Sequence, residues 1–567
     1  MFFDRKMNGR IVCGNTEISC ETIQEQISKY RDFITPYAVS DIPVALLLPR
    51  GEIYTLCMLT LLEASIPFLP IDLEMPKNRM EYMLKNVGAE YVISTFEYGR
   101  DLTIDGVTVV FWEDIVLRVS NKGAIRSESK AYAKSNIAYY LFTSGSTGKP
   151  KAVPILRSAL YNFVCGIQER IPAKSGQRIL HLTSISFDIS FLELVYALYS
   201  GLTVVIVSEY TKNHIKDVCN EILDKEVDIV QMTPSRLKMI KIVDEKYSCL
   251  RNVQTILVGG EMLPPQLASD LLKYTNARLF NMYGPTETTI WSSCGEIISS
   301  EDIHIGTPIL NTDFYILDEN LDEVMEGTRG EICIGGAGLS SGYCNNSIAN
   351  SKAFVNLKQG KRVYKTGDYG CYKNGKFYCL GRIDNQIKVN GHRIELEDID
   401  SNIEGLGLVK QVVTCYSEEK NALVSYYIAE SIVDKDAFLG GLKPLIPEYM
   451  IPKYYVYVEK FIYTISNKVD RNSMVKDFGL GKHSEKTENK ARDDYDRAII
   501  DIFERQLETM VNEQDNIEEI VFDSVAFISI IVEIEGRFEI EFDGSMLEKA
   551  AFKTVQDVID YTKNLLK

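Results

Sequence analysis

A loop rich in hydroxyl groups, glycines and lysines is the segment of this 567-residue chain with the clearest chemical character. The loop runs from Thr143 to Lys151 and follows the apolar stretch 137–142, a pattern that predicts a strand ending in the loop. Glycines let backbone N–H groups approach a phosphate, hydroxyls donate to its oxygens, and lysines offset its charge. The lysine after the last glycine is followed by Pro150, where a Walker A loop needs serine or threonine. The loop is therefore a candidate phosphate site of another kind.

Further motifs follow this loop in a fixed order along the chain. They are Tyr283-Gly284-Pro285-Thr286-Glu287, Tyr364-Lys365-Thr366-Gly367-Asp368, Gly381-Arg382-Ile383-Asp384 and Lys468-Val469-Asp470-Arg471. Together with the first loop they resemble the adenylate-forming superfamily, specifically the adenylation domains of nonribosomal peptide synthetases. The resemblance implies that a carboxylate attacks the α-phosphate of ATP, giving an acyl adenylate and pyrophosphate, and that a thiol then displaces AMP.

The resemblance also implies roles for individual residues. Lys468 is the expected catalytic cation, because a positive charge beside the α-phosphate and the attacking oxygen stabilises the transition state. Asp384 corresponds to the hinge at which the smaller domain turns between the half-reactions, and Lys388 lies in the loop that then replaces Lys468. Glu287 corresponds to a magnesium ligand, since Mg²⁺ prefers carboxylate oxygen. The residues expected to bind ATP are Thr143, Ser144, Gly145, Ser146, Thr147, Lys151, Asn281, Tyr283, Gly284, Thr286, Asp368 and Arg382.

Asp188 is the first indication of which acid is activated. Ser190 and Glu193 have the Ser-x-x-Glu spacing of a capping box at the start of the apolar stretch 191–198, which predicts a helix there. Asp188 is then free to face elsewhere, and an aspartate among apolar neighbours needs a cationic partner. In amino-acid-activating relatives the corresponding aspartate binds the α-ammonium of the substrate, and acyl-CoA ligases typically lack it. An acyl-CoA or aryl-acid ligase is therefore the less favoured alternative.

The pocket positions of the family, carried over by their offsets from the motifs, predict a small substrate. These positions are Asp188, Ile189, Leu192, Gln231, Leu257, Gly259, Met282, Ile290, Trp291 and Lys468. Several are bulky, and overpacking by a methylene or two costs about 1–3 kcal/mol. The set resembles the signature of glycine-activating domains. The sequence therefore predicts glycine as the substrate, with alanine, including the D-alanine type, as the alternative.

The last 75 residues resemble an acyl or peptidyl carrier protein. Apolar residues at helical spacing predict helices over 495–511, 524–538 and 555–566, which together would form a small bundle. The segment Phe522-Asp523-Ser524-Val525 resembles the attachment site of such carriers. The resemblance implies that a phosphopantetheinyl transferase adds 4′-phosphopantetheine to Ser524. It also implies that downstream enzymes accept the aminoacyl thioester in trans, and it leaves open whether an MbtH-like helper is required, as for some relatives.

The order of the predicted strands and helices indicates an α/β protein with an all-α carrier at its C-terminal end. Short β-rich runs alternate with helical segments, a pattern typical of sheets covered by helices. We predict the adenylate-forming fold, with a large N-terminal subdomain at 1–382 and a small mobile subdomain at 383–478. A polar linker at 479–492 and a carrier domain at 493–567 follow. An inactive scaffold that only presents the carrier is a further alternative, and intact Lys468, Glu287 and Asp368 argue against it.

Composition excludes several other classes of protein. The chain has 62 Lys and Arg against 79 Asp and Glu, a net charge of −17, which disfavours binding to the phosphate backbone of nucleic acids. No stretch is long and apolar enough to predict a membrane span, and no signal peptide follows the first residues. The 12 cysteines are scattered without a metal-binding spacing, so reduced thiols and a cytoplasmic location are expected.

Overall fold

The computed structural model describes most of the chain. The described residues are 7–121, 134–144, 149–171, 173–384, 386–389, 392–417, 420, 422–462, 469, 471–478, 494–507, 511–521, 524–538, 540, 542–543, 546 and 551–566. The predicted linker and the predicted site residues Gly145, Ser146, Thr147 and Lys468 lie outside them.

The strands of the described residues fall into five groups along the chain. Strands β1 to β8 are Arg10–Cys13, Thr16–Ile18, Val44–Leu47, Phe68–Pro70, Tyr91–Ser94, Thr108–Phe111, Ile137–Thr143 and Lys151–Leu156. Strands β9 to β15 are Arg178–His181, Thr203–Ile206, Ile229–Met232, Thr255–Gly259, Arg278–Tyr283, Ser293–Glu296 and Thr307–Pro308. Strands β16 to β20 are Thr312–Leu317, Gly330–Gly336, Phe354–Asn356, Arg362–Lys373 and Lys376–Arg382. Strands β21 and β22 are Gln386–Val389 and His392–Glu395, and β23 to β25 are Gln411–Ser417, Ala422–Ile428 and Tyr454–Tyr457.

The helices alternate with the strands up to residue 478, and the described residues after that position include helices but no strand. Helices α1 to α8 are Cys20–Ile34, Glu52–Ala64, Lys77–Val87, Phe96–Gly99, Trp112–Asn121, Arg157–Arg170, Ile189–Phe191 and Ala197–Tyr199. Helices α9 to α16 are Glu209–Asn213, Ile215–Asp224, Pro234–Val243, Pro265–Tyr274, Ser347–Ala353, Leu396–Gly405, Lys435–Leu442 and Arg471–Phe478. Helices α17 to α20 are Asp494–Leu507, Ile517–Ile520, Ser524–Phe538 and Val555–Leu565.

Two large sheets build the N-terminal part and share one hydrophobic core. Within the described residues, one sheet has the order β15-β14-β13-β12-β11-β9-β10-β1-β2 and the other β6-β5-β3-β4-β7-β8. Strands β1, β10, β9, β11, β12 and β13 are parallel, so their carboxyl ends share one edge. Phe191 packs between the sheets, with its ring centroid 5.7 Å from that of Phe68 and 4.3 Å from that of Tyr139. The helical stretch 189–199 is thereby fixed between the sheets.

The remaining strands form smaller sheets. Strands β16, β17, β19 and β18 are joined in that order, and β20 pairs with β19. The hairpin β21–β22 leads into helix α14, which packs with Ile399 and Ile403 on one face of the sheet β23-β24-β25. Met474 of α16 packs on the other face of this sheet. These contacts give residues 394–475 hydrophobic clusters of their own.

The C-terminal helices form a separate cluster, as their sequence pattern predicts. Helices α17, α19 and α20 bury apolar residues against one another, including Phe503, Phe527 and Ile559. The helix predicted over 524–538 is confirmed with those bounds, and the predicted strand over 137–142 is confirmed as β7. No helix in the described part of the chain is both long and apolar enough to cross a lipid bilayer.

Candidate active site

A cavity opens at the carboxyl ends of the parallel strands, where ligands bind in open α/β sheets. The hairpin β21–β22 closes one side of it. The predicted site residues that line the cavity are Thr143, Ser144, Asp188, Ile189, Tyr283, Gly284, Thr286, Ile290, Trp291, Asp368, Arg382 and Lys388. Residues that the sequence analysis did not assign also line it, among them Arg393, Tyr449 and Met450. Segments that lie far apart in the sequence therefore meet here.

Asp188 is a buried carboxylate without a full set of hydrogen bonds. Its side chain lines the cavity, the residue is 7% exposed, and Oδ2 has no hydrogen-bond partner among the described residues. Burial raises the pKa of Asp188 to about 6, and contact with Thr286 opposes part of that shift. A buried carboxylate oxygen without a donor is unfavourable by itself. The site is therefore suited to a cationic group placed beside Asp188.

The capping box predicted for Ser190 and Glu193 is wrong. The helix begins at Ile189, and the winding changes to a π-helix over Leu192–Tyr196, so Glu193 does not return to the helix start. Its carboxylate instead accepts hydrogen bonds from the backbone N–H groups of Leu182 and Thr183, each at 2.9 Å, and from Thr183 Oγ1 at 2.6 Å. Glu193 therefore ties the helix to the end of β9. A π-turn of this kind is common next to functional sites.

Trp291 closes the cavity over strand β12. A Cβ atom built on Gly259 would lie 2.6 Å from Trp291 Cη2, so the indole already fills the space above that glycine. Trp291 is 2% exposed, and Ile290 beside it also lines the cavity. Apart from Asp188 and Ile189, the other predicted pocket residues that the structure describes are buried and do not line the cavity; they are Leu192, Gln231, Leu257, Gly259 and Met282. The indole and Ile290 therefore determine how much room lies beyond Asp188.

The backbone beside the pocket is strained. Thr289 and Ile290 have φ angles of 68° and 65°, a left-handed conformation that is unusual for β-branched residues. Such residues cost on the order of 1–3 kcal/mol each and persist where the surrounding structure fixes them. Gly284 helps to fix them, because a Cβ there would lie 2.6 Å from the carbonyl oxygen of Ile290 and 2.7 Å from Trp291 Cα. The glycine of the Tyr283-Gly284 motif thus positions the pocket wall.

A second group of polar side chains in the cavity lining consists of Tyr283, Asp368 and Arg382. Tyr283 donates a hydrogen bond to Asp368 Oδ2 at 2.6 Å, and Arg382 Nη1 donates to Asp368 Oδ1 at 3.1 Å. Arg382 also donates to both carboxylate oxygens of Asp384, from Nε at 2.8 Å and from Nη2 at 2.6 Å. The predicted hinge residue is therefore paired with a predicted ATP-binding residue.

Four further residues predicted to bind ATP are described by the structure, and they differ in their hydrogen-bond partners and in whether they line the cavity. Thr143 is buried at the end of β7, and its Oγ1 has no partner among the residues described. Ser144 Oγ donates to the carbonyl of Arg393 at 3.0 Å. Lys151 Nζ lies 4.9 Å from the centre of the Tyr343 ring, and burial together with the charge of Arg393 lowers its pKa. Asn281 lies outside the cavity lining, and its amide donates to the carbonyl oxygen of His304 at 2.9 Å.

Glu287 is paired with an arginine that the sequence analysis did not assign. Arg393 Nη1 lies 3.1 Å from Oε1 and 2.9 Å from Oε2 of Glu287, and Tyr343 donates to Oε1 at 2.7 Å. Burial alone would raise the pKa of Glu287, but Arg393 and Tyr343 outweigh burial, so this pKa lies below its ordinary value. The signal for Arg393 was weak, since it precedes Ile394 in a short strand with no motif of its own.

The hairpin β21–β22 is held in the cavity by further contacts. Lys388 lines the cavity, and burial lowers its pKa, although Asp368 opposes that effect. The His392 ring stacks on Tyr449 with centroids 3.8 Å apart and meets the Phe187 ring at 4.8 Å and 83°. The hairpin therefore brings the predicted Lys388 to the cavity in this structure.

Helix α19 of the C-terminal bundle contacts the part of the chain that contains α10 and α11. Lys216 Nζ lies 3.2 and 3.1 Å from the carboxylate oxygens of Glu535 on α19. Ile528 of the same helix is 4% exposed and belongs to the hydrophobic cluster in which α10, α11 and α12 pack on the large sheet. Ser524 is the first residue of α19. The predicted attachment residue is thus at the N-terminus of the helix that contacts the large subdomain.

Comparison with known proteins identifies the family. The profile described as "AMP-binding enzyme" matches residues 10–344, and the profile described as "Phosphopantetheine attachment site" matches residues 497–562. The chain belongs to the AMP-binding enzyme family. A phosphopantetheine-attachment domain follows in the same chain.

Individual relatives agree with this membership. This AMP-binding enzyme is 30% identical over 481 residues to a D-alanine--D-alanyl carrier protein ligase of Listeria monocytogenes serotype 4b (strain CLIP80459), covering 81% of this chain and 94% of the relative. It is 30% identical over 479 residues to a dimodular nonribosomal peptide synthase of Bacillus subtilis (strain 168), covering 82% of this chain. That match spans a fifth of the synthase, 20% of its length.

A solved structure has the same fold over the whole chain. Holo-PA1221, described as an NRPS protein containing adenylation and PCP domains bound to a vinylsulfonamide inhibitor, superposes with a TM-score of 0.80. The match has 22% sequence identity and covers 100% of this chain and 96% of the other. The predicted adenylate-forming α/β fold with a helical carrier domain is therefore confirmed.

The cofactors of the AMP-binding enzyme differ in how they fit these residues. Enzymes of this family use ATP with Mg²⁺, and the attachment domain carries 4′-phosphopantetheine. Ser524 fits the latter, because a phosphodiester at a helix N-terminus is favourably placed. Glu287 does not fit Mg²⁺ in this arrangement, because Arg393 contacts both of its oxygens. Across the described residues, no group of three or more His, Cys, Asp or Glu side chains is placed to hold a metal.

We expect acid pH to lower the kcat/KM of the AMP-binding enzyme for its amino acid. The pKa of Asp188 is raised to about 6, so below that pH the carboxyl is neutral and cannot pair with a substrate ammonium, which stays protonated. The value of kcat/KM for the amino acid should fall about tenfold per pH unit below that pKa, because kcat/KM reports the groups of the free enzyme. Amino-acid-dependent ATP/pyrophosphate exchange between pH 5 and 8 measures this. The control varies ATP at saturating amino acid, and a flat amino-acid profile down to pH 5 contradicts the expectation.

Proposed function

We propose that this AMP-binding enzyme activates a small amino acid, glycine first, as its adenylate and transfers the aminoacyl group to its own carrier domain. The observation that carries the proposal is the cavity end formed by Asp188 and Trp291. A buried carboxylate with an oxygen that no described residue contacts by a hydrogen bond faces this space, and an indole limits its depth. A small amino acid matches both features, because its α-ammonium is a compact cation and its α-carbon carries little or no side chain.

The carboxylate distinguishes amino acids from other acids. A buried charge is stabilised when an opposite charge pairs with it at hydrogen-bonding distance, and it is unfavourable otherwise. An amino acid supplies that charge, whereas an acyl or aryl acid would leave Asp188 unpaired. Asp188 therefore favours an amino-acid substrate over the acids used by acyl-CoA and aryl-acid ligases.

The pocket wall favours glycine, and alanine is the second candidate. The indole of Trp291 reaches Gly259, and the adjacent backbone at Ile290 is held in a strained conformation that resists rearrangement. A methyl group on the substrate therefore meets a wall that is already filled. D-Alanine is kept as the alternative because a relative that covers most of this chain is named a D-alanine--D-alanyl carrier protein ligase.

The other residues of the cavity support the two half-reactions of adenylation and transfer. Asp368 can accept two hydrogen bonds from the ribose diol of ATP, and Tyr283 lies beside it for the adenine. The hydroxyl of Thr143, which has no hydrogen-bond partner among the described residues, can donate to phosphate oxygens. By resemblance, Lys468 neutralises charge at the α-phosphate as pyrophosphate leaves, and Lys388 on the hairpin serves the second step. The phosphopantetheine arm supplies the thiol that accepts the aminoacyl group.

The domain boundaries and the partners are part of the proposal. We place the small subdomain at 383–478, the linker at 479–492 and the carrier at 493–567, with the large subdomain before them. The expected partners are a phosphopantetheinyl transferase acting on Ser524 and a downstream enzyme that accepts the aminoacyl group in trans. An MbtH-like helper and a cytoplasmic location stay predictions from the sequence.

ATP/pyrophosphate exchange across the amino acids tests the substrate. Glycine is expected to give the highest kcat/KM, and each added methyl group should lower it by about 1–3 kcal/mol of overpacking. That range is roughly 5- to 150-fold, since 1.4 kcal/mol is a factor of ten. The highest exchange with a large side chain, or with an acid that lacks the amino group, contradicts the proposal.

Carrier loading is tested on the same protein by intact mass. After treatment with a phosphopantetheinyl transferase, coenzyme A, ATP and glycine, the wild-type chain should gain the arm and then the glycyl group. Ser524→Ala is the matched control, and it should gain neither mass because the attachment hydroxyl is absent. Loading of the alanine variant contradicts the assignment of Ser524.

A further inference from the structure

The loop between β9 and α7, residues 182–188, ends in Asp188. Its first two residues are fixed from two sides. Glu193 accepts their backbone N–H groups, each at 2.9 Å. Arg50, whose side chain is fully buried, donates to the carbonyl oxygen of Thr183 at 2.6 Å. These bonds fix the start of the loop, so the placement of Asp188 also depends on what fixes the residues in between.

The next four residues form a turn whose two serine hydroxyls bond to Asp72. The backbone N–H of Phe187 donates to the carbonyl oxygen of Ser184 at 3.0 Å, which closes the turn. Ser184 Oγ donates to Asp72 Oδ2 at 2.8 Å, and Ser186 Oγ donates to the same oxygen at 3.3 Å. Ser186, Phe187 and Asp188 all line the cavity. Asp72 therefore contacts the loop where it reaches the cavity.

The two carboxylate oxygens of Asp72 have different partners. Oδ1 accepts the backbone N–H of Glu74 at 3.1 Å, a local bond within the turn that follows β4. Oδ2 accepts the two serine hydroxyls of the β9–α7 loop. Strand β4 belongs to the six-stranded sheet and β9 to the nine-stranded sheet. Because hydrogen bonds to a carboxylate are about twice as strong as bonds between neutral groups, Asp72 is a firm link from one sheet to the loop of the other.

We propose that Asp72 is a positioning residue for amino-acid recognition, because through Ser184 and Ser186 it fixes the loop on which Phe187 and Asp188 line the cavity. The inference rests on the proposed function, in which Asp188 pairs with the α-ammonium of the substrate. Asp72 itself does not line the cavity, so its effect on the substrate passes through the two hydroxyls.

Directional bonds are needed here because the other contact of the turn is apolar. Ile185, between the two serines, is 4% exposed and packs in the core that the two large sheets share. Apolar burial is non-directional, so it anchors the turn without fixing its orientation. Hydrogen bonds prefer a narrow range of angles and fix the orientation. A misplacement of about 1 Å in a group that orients a substrate can lower the rate by about 10²-fold.

Removal of both hydroxyls in the full-length chain tests the kinetic role. In Ser184→Ala/Ser186→Ala, kcat/KM for the amino acid in ATP/pyrophosphate exchange should fall by about 10- to 100-fold, and the KM for ATP should stay the same. Ser135→Ala is the matched control, because Ser135 Oγ donates to Asp41 Oδ1 at 2.6 Å and neither residue lines the cavity. The control should keep the kcat/KM of the wild-type chain. An unchanged kcat/KM in the double serine variant overturns the proposal.

A double-mutant cycle separates positioning from a purely structural role. Asp72→Ala alone should lower kcat/KM for the amino acid as much as the double serine variant does. Added to that variant it should cause no further loss, because residues that act through one another are not additive. The melting temperature should still fall further, because the bond from the Glu74 N–H is lost only with Asp72. Losses in kcat/KM that multiply would indicate a purely structural aspartate and overturn the proposal. Asp72→Asn, which keeps one acceptor oxygen, should give an intermediate kcat/KM and replaces Asp72→Ala if that variant does not fold.

Hydrogen exchange reports the loop independently of turnover. Amides of residues 182–188 should exchange faster in the double serine variant than in the wild-type chain, and Ser135→Ala should leave them unchanged. Equal exchange in all three proteins overturns the proposal. A chain that exchanges no pyrophosphate with any amino acid contradicts the proposed function, and faster amide exchange in its serine variant still supports the contact of Asp72 with the loop. In an active chain, faster amide exchange with an unchanged kcat/KM overturns the positioning role.

Discussion

Asp188→Asn is expected to lower kcat/KM for the amino acid by about 10²–10⁴. Removing one partner of a buried ion pair costs about 3–5 kcal/mol, and each 1.36 kcal/mol is a factor of ten in rate. Asparagine has nearly the same shape as aspartate, so the pocket keeps its volume and loses its charge. The loss should therefore be seen in amino-acid use and not in ATP binding.

The stability of the Asp188→Asn variant is expected to stay the same or to rise, although its activity falls. In the free enzyme Asp188 is a buried carboxylate with an oxygen that lacks a partner among the described residues, and burial raises its pKa to about 6. A neutral amide at this position avoids part of the cost of burying the charge. The melting temperature of Asp188→Asn should equal or exceed that of the wild-type chain, as is common where an active site is built at the expense of stability.

The measurement pairs amino-acid-dependent ATP/pyrophosphate exchange with thermal unfolding. Asp270→Asn is the matched control, because Asp270 is 9% exposed, pairs with Lys241 and does not line the cavity. It should keep the kcat/KM of the wild-type chain. An Asp188→Asn variant within threefold of wild type in kcat/KM would show that the ammonium is bound elsewhere.

Elements with a strong local pattern were predictable from the sequence. The apolar run before Thr143 forms β7, and the helix from Ser524 to Phe538 has the predicted bounds. In both cases the spacing of the apolar residues by itself indicates the type of element and the side of it that is buried. Motif residues such as Asp188 and Asp368 also line the cavity. Their positions were predictable because the motifs by which the chain resembles its family consist of residues around the binding site.

Features that depend on tertiary contacts were not predictable in this way. The spacing of Ser190 and Glu193 satisfies a local capping rule, yet Glu193 bonds to the end of β9, a segment that sequence spacing cannot indicate. The ion pair between Arg393 and Glu287 joins residues that lie 106 positions apart in the sequence, and no local pattern indicates which partner either one has. The left-handed backbone at Ile290 is imposed by its surroundings and contradicts the preference of isoleucine.

Trp291→Ala is expected to change substrate preference toward larger amino acids. The indole occupies the space above Gly259, and overpacking against such a wall costs about 1–3 kcal/mol. Its removal should raise the ratio of kcat/KM for alanine or a larger amino acid to that for glycine by up to about 10²-fold. The indole N–H has no acceptor in the described part of the chain, so the substitution removes packing and no hydrogen bond.

The same substitution also removes a large buried side chain, and this effect has to be separated from the change in preference. Trp→Ala in a core typically costs about 3–5 kcal/mol of stability. Trp112→Ala is the matched control, because Trp112 is 5% exposed, packs against Tyr30 with ring centroids 4.6 Å apart, and does not line the cavity. Both variants should melt at lower temperature, but only Trp291→Ala should lose its preference for glycine. If Trp291→Ala keeps that preference, or if Trp112→Ala loses it too, the indole does not set the size of the substrate.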